Sequence, residues 1–207
     1  MADGLVEHVI GWRRLAIAGA MFLLLGVIHT WPLATDLGGL SRNDNADTML
    51  NAWAISWVAH QVPRNPIRVF DANIFHPHPS TLAYSEPLIV PGLMAIPLRG
   101  LGASPVLTYN ILLLLGLALT ALSLYVLVMR WTGDHLAALL AGALLAYTAH
   151  TITRLPQLQA IHAYSLPMAV LAFDRLLSRG WTRDAVWLGV AVLMAALTSG
   201  HLAVFLV

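Results

Sequence analysis

Asp44, Asp47 and Asn51 are separated by three and four residues, a spacing that places side chains on one face of a helix or in its first turn. Two carboxylates so placed suit general-base work on a hydroxyl, or the holding of a divalent cation. The same residues suit a purely structural task. Asn43 to Asp47 supplies good N-cap types, and carboxylates are favoured at a helix N-terminus. Glu86 presents the same choice at the start of a later apolar segment: a cap or a positioned carboxylate. Arg154, Gln157, Gln159 and His162 crowd a second polar stretch. Such a cluster suits a phosphate, which Arg binds bidentately, or is a solvated loop whose Arg snorkels. His76 and His78 flank Pro77, a pair able to bind metal but equally at home on a surface. His201 falls in an apolar run, where an ionisable group is a functional candidate.

The segments that must position these groups read as membrane. Apolar residues make up 58% of the 207-residue chain and charged residues 10%, against about 25% charged in soluble domains. Every basic residue other than His is Arg, there is no Cys, and the formal net charge is +1. Disulfides, thiolate metal sites and a cysteine nucleophile are therefore excluded, and no basic run points to nucleic acid. Crossing the hydrocarbon takes about 20 apolar residues. On that measure five spans are expected, at about 15–33, 104–129, 136–153, 161–177 and 185–207. The first ends in His29-Thr30-Trp31-Pro32 rather than in small residues, which favours an anchor over a cleaved signal. The chain stops inside an apolar run, Gly200–Val207, so it is expected to be a fragment, or the N-terminal part, of a longer membrane protein.

The expected fold is all-α and integral to the membrane: a multi-pass bundle with a large first loop, 36–103. Within the loop, Leu50, Trp53, Ala54, Trp57 and Val58 form an apolar stripe, which predicts an interfacial helix over 47–61. Leu88 to Leu98, too short to span, predicts a second interfacial or re-entrant helix. In short segments, Arg13, Arg14, Arg130, Arg175, Arg179 and Arg183 fall on one side and Arg154 on the other. The N-terminus is thus expected in the cytoplasm, with loop 36–103 and the Arg154 turn together outside.

This layout, with Asp47-x-x-x-Asn51-x-Trp53, Asp71-Ala72-Asn73-Ile74-Phe75-His76-Pro77, Leu82-Ala83-Tyr84-Ser85-Glu86, Tyr109-Asn110 and Thr198-Ser199-Gly200-His201, resembles the GT-C superfamily of membrane glycosyltransferases. The resemblance is to a bacterial multi-pass group akin to the protein mannosyltransferases and covers most of 15–207. It implies sugar transfer from a polyprenyl-phosphate donor at the outer face of the bacterial inner membrane. Asp47 would be the base, with Asp44 second, and Glu86 would orient a sugar. Asn51, Asn73, Tyr84, Arg154, Gln159 and His162 would bind substrate. The adjacent acidic pair of several members is absent, and a divalent cation is left open. The competing expectation is a non-enzymatic protein for cell-surface polymer assembly or transport.

Overall fold

A computed structural model describes residues 10–43 and 45–206; Asp44 therefore lies outside the described residues. These form ten α-helices and no strand: α1 Trp12–His29, α2 Ala46–Gln61, α3 Ile89–Gly100, α4 Pro105–Thr132, α5 His135–Ala146, α6 Ala149–Thr153, α7 Leu158–Ile161, α8 Ser165–Arg179, α9 Thr182–Thr198 and α10 Gly200–Val204. Three segments are long and apolar enough to cross a membrane: α1, α4 and the His135–Thr153 stretch shared by α5 and α6. The chain is thus a helical membrane protein. Helix α8, at 15 residues, and α9, at 17, fall short of that length. Asp174, Arg175 and Arg179 further cut the apolar part of α8.

Helix boundaries follow local chemistry. Helix α1 stops at His29, before the expected 33, because Pro32 disfavours helical backbone just before it and the chain then enters a 3₁₀ turn over Leu33–Thr35. Ser104 caps α4 by accepting from the Leu107 amide at 3.1 Å, and Pro105 opens its first turn. Gly133 closes α4 in the left-handed region at φ 67°. Asp134 then caps α5, accepting from the amides of Leu136 and Ala137.

The 28-residue α4 is the central mast. One core forms where α4 meets α1 and α5 around Phe22, Tyr125 and Ala138. There the helices approach closely. A Cβ at Gly142 would lie 2.5 Å from the Ala121 carbonyl oxygen and 2.7 Å from the Phe22 ring. Tyr147 adds a hydrogen bond to the Phe22 carbonyl at 2.5 Å. The second core packs α2, α3 and the 155–161 turn against the other half of α4, through Ile55, Val58, Leu112, Leu158 and Ile161.

Helix α2 forms, and its apolar stripe divides, with Ala54 and Val58 turned into the core. Thr48, Asn51, Ala54, Ile55, Val58 and Ala59 are buried, whereas Leu50 is exposed and Trp53 and Trp57 are half-buried. The tryptophans pack on the loop beneath them instead. Trp53 Nε1 donates to Asn73 Oδ1 at 3.1 Å and Trp57 Nε1 to the Val69 carbonyl at 2.7 Å. An indole needs a partner for its N–H, and the 65–82 loop supplies it.

The close approach at Gly142 carries a test. Gly142→Ala should cost about 1–3 kcal/mol through overpacking, read as a lower thermal midpoint in detergent. Gly189→Ala, where an added Cβ meets nothing within 4 Å, should hold or raise stability by up to about 1 kcal/mol.

Candidate functional site

The capping question resolves at the start of α2. Asn45 is the N-cap: its side-chain oxygen accepts from the Thr48 amide at 2.9 Å and from the Thr48 hydroxyl at 3.1 Å. Asp47 sits one residue inside the helix, exposed, with its carboxylate uninvolved in the cap. Across from it lies the turn between α6 and α7. Gln157 Nε2 approaches Asp47 Oδ2 at 3.5 Å, a long contact, and Gln157 Oε1 accepts from Arg154 Nη1 at 2.7 Å. One amide therefore stands between a carboxylate and a guanidinium, facing both with the matching end.

Backbone carbonyls of this turn are held by buried donors. Asn51 Nδ2 donates to its own helix at Asp47 O, 2.7 Å, and to Pro156 O, 3.1 Å. The Tyr109 hydroxyl from α4 lies 3.2 Å from the carbonyls of both Leu155 and Pro156. Thr120 donates to Ile161 O at 2.8 Å. These bonds fix Arg154 and Gln157 opposite Asp47. Asn51 thus works as a bracket: it is 6% exposed and its amide donor is engaged on both sides.

Arg154, Gln157 and Gln159 open with His150, His201 and Leu202 into a cavity of about 540 Å³. Gln159 Oε1 is buried with no hydrogen-bond partner among the described residues. A second cavity of about 320 Å³ lies beside α2, with Asn51, Trp53, Phe75, Tyr84 and Glu86 among its walls. Tyr84 is exposed and stacks on Phe75, with centroids 5.9 Å apart. The two cavities meet at a hydrogen-bonded contact. Glu86 Oε1 is 2.5 Å from His201 Nδ1, and Glu86 Oε2 accepts from the Gly200 amide at 2.8 Å. Glu86 makes no cap on α3.

His201 is not deep within a helix, as the apolar run suggested. Helix α9 ends at Thr198; Ser199, in extended conformation, caps α10 by accepting from the His201 amide at 3.1 Å and the Leu202 amide at 3.4 Å. The His201 side chain is largely exposed. Sequence reasoning missed His150 and this partnership of His201; Ser199-Gly200, a cap type followed by a helix breaker, was the available signal.

Two expected substrate residues are occupied elsewhere. His162 is fully buried, with Nε2 3.0 Å from the Leu112 carbonyl and Nδ1 3.4 Å from the Tyr164 hydroxyl. Its ring fits because α4 carries Gly116, where a Cβ would come within 2.6 Å of it. Asn73 holds Trp53 and anchors the loop. His76 and His78 are exposed and flank a cis bond at Pro77. No group of three or more His, Cys, Asp or Glu able to hold a metal ion occurs among the described residues. Glu86 lines the smaller cavity and is bonded to His201 and Gly200, whereas Asp47 lines neither cavity and contacts Gln157, so these residues do not fit a shared cation.

The arrangement offers a guanidinium with its amide partner and two imidazoles around a polar cavity, with the exposed Asp47 carboxylate reached through Gln157. Such a surface can take up a phosphate and hold a proton acceptor beside it. Its geometry depends on the carbonyl brackets. The double change Asn51→Leu with Tyr109→Phe leaves Pro156 O without either donor. It should cost about 1–3 kcal/mol or more, seen as a lower midpoint and faster proteolysis at the 150–160 turn, while either single change costs less. No family model, curated protein or solved structure matches this chain.

Proposed function

We propose that this chain is part of a GT-C-like membrane glycosyltransferase that moves a sugar from a polyprenyl-phosphate donor to an extracytoplasmic acceptor. The observation that carries the reading is the Asp47–Gln157–Arg154 series, in which Gln157 and Arg154 line the larger cavity and Gln157 links them to the exposed Asp47 carboxylate. In this reading Asp47 accepts the proton of the acceptor hydroxyl as it attacks the anomeric carbon. The bond from that carbon to the phosphate oxygen breaks, and the departing phosphate meets Arg154, Gln159, His150 and His201. Glu86 and Tyr84 line the neighbouring cavity, where a sugar or acceptor binds. His162 and Asn73 keep structural tasks, and Asn51 acts by holding the turn.

The reading includes a topology. Helices α8 and α9 complete five passes as a short fourth and fifth span. The N-terminus is cytoplasmic, the Asp47 face is outside, and the membrane is the bacterial inner membrane. The Arg distribution supports this orientation.

The test is transfer of labelled sugar from a lipid-linked donor by the full-length protein in proteoliposomes. Asp47→Asn should lower turnover by about 10²–10⁴-fold, the usual worth of a general base, without a matching loss of folding. Arg154→Gln should impair both donor binding and turnover. Full activity in Asp47→Asn and in Asp44→Asn would remove the proposed base. A protein that retains its cellular role with Asp47, Glu86 and Arg154 all replaced would be an assembly factor instead.

A further inference from the structure

A second polar site lies at the other end of α8, roughly 15 Å along the helix from Ser165 at a rise of about 1.5 Å per residue. Arg175 of α8 and Asp184 of α9 line a cavity of about 180 Å³ with Met168, Leu171, Ala172 and Trp187. Asp184 is 2% exposed. Its Oδ2 and the Nε of Arg175 are both buried without a hydrogen-bond partner among the described residues. Leaving a buried charged group unpaired is costly, so each atom marks a place for a complementary group.

The cavity has an apolar continuation. Met168 and Leu171 also belong to the wall of a slot of about 510 Å³ that includes Leu15, Met94, Leu122 and Val126. The small cavity is thus polar where Arg175 and Asp184 meet it, and it shares Met168 and Leu171 with the wall of the larger apolar slot. Trp131, Trp181 and Trp187 are exposed around this end of the protein, and Arg183 stacks over Trp181 at 4.0 Å from the ring centroid. Tryptophan and arginine mark the headgroup level of a bilayer.

We infer that this is a binding site for a glycerophospholipid with a primary-amine headgroup: phosphate on Arg175, ammonium on Asp184, and an acyl chain in the slot. The charge pattern selects the class. A purely anionic headgroup would meet the Asp184 carboxylate, and a purely cationic one would meet Arg175. A zwitterion answers both. A quaternary ammonium has no N–H for Asp184 Oδ2, whereas a primary ammonium donates a charge-assisted hydrogen bond. Neighbouring charges leave the assignment intact, since Asp174 is engaged by Arg130 at 2.5 Å.

The test is native mass spectrometry of the full chain released from detergent micelles with equimolar phosphatidylethanolamine, phosphatidylcholine and phosphatidylglycerol. Phosphatidylethanolamine should be retained about tenfold over phosphatidylcholine, the effect of one charge-assisted hydrogen bond, and above phosphatidylglycerol. Asp184→Asn should erase the preference for ethanolamine over choline. Thermal midpoints of the unmodified protein in nanodiscs of each lipid repeat the comparison without a mutation, and ethanolamine should give the highest. Equal retention of the three lipids, preference for phosphatidylglycerol, or an unchanged preference in a folded Asp184→Asn variant would overturn the assignment. Arg175 and Asp184 would then be a pair bridged by water.

Discussion

Backbone carbonyls that leave a helix inside an apolar bundle must find donors within the protein, and this fold is organised by meeting that demand. Helix α4 carries most of the donors. Tyr109 reaches the Leu155 and Pro156 carbonyls, Asn110 reaches those of Leu37 and Leu40 at 2.8 Å each, and Thr120 reaches that of Ile161. The traffic runs the other way at Leu112, whose carbonyl meets the His162 ring. Non-helical segments both before and after α4 are therefore pinned to one rigid rod. The same rod is narrow at Gly116, so His162 can sit against it.

That demand divides the polar residues into those consumed by the fold and those left over. Asn51, Asn110, Tyr109, Thr120 and His162 are buried and spend hydrogen bonds on main-chain oxygens. Asp47, Arg154, Gln157 and His201 reach solvent or a cavity and bond one another or Glu86. A polar side chain that braces the backbone is poorly placed to change partners during a reaction. One that borders a cavity can exchange its partner for a ligand at little cost.

Much of the helical frame was readable because its signals are local. Ser104-Pro105 and Gly133-Asp134 mark the ends of α4 within a few residues of themselves. The buried face of α2 was not. Of its apolar stripe, Leu50, Trp53, Ala54, Trp57 and Val58, only Ala54 and Val58 are buried, and Asn51 turns inward beside them because a carbonyl 105 residues away requires it. No periodicity encodes a partner at that distance. His162 was misjudged for a related reason. It follows Arg154 by only eight positions, but the short α7 turns it into the core while Arg154 stays outside. The membrane character was plain from composition; the two short helices α8 and α9 show that an apolar run and a full-length span are different things.

A first-turn carboxylate is ambiguous in sequence, and what settles it is which residue already occupies the cap. At α2 the Asn45 amide oxygen satisfies the Thr48 amide, so Asp47 is not the cap; it sits in the first turn, where the helix dipole favours its charge, with its oxygens left for other partners. Glu86 shows the converse. It precedes α3 but satisfies the free amide of Gly200 at the start of α10, 114 residues later, and binds the His201 ring as well. A break in the last apolar run is what makes that possible, since an unbroken helix would have used the Gly200 amide internally. Glu86 thereby joins the first loop to the end of the described chain, and the wall between the two cavities exists because α9 stops at Thr198. The position of the break matters as much to the site as the identity of the charged residues that line it.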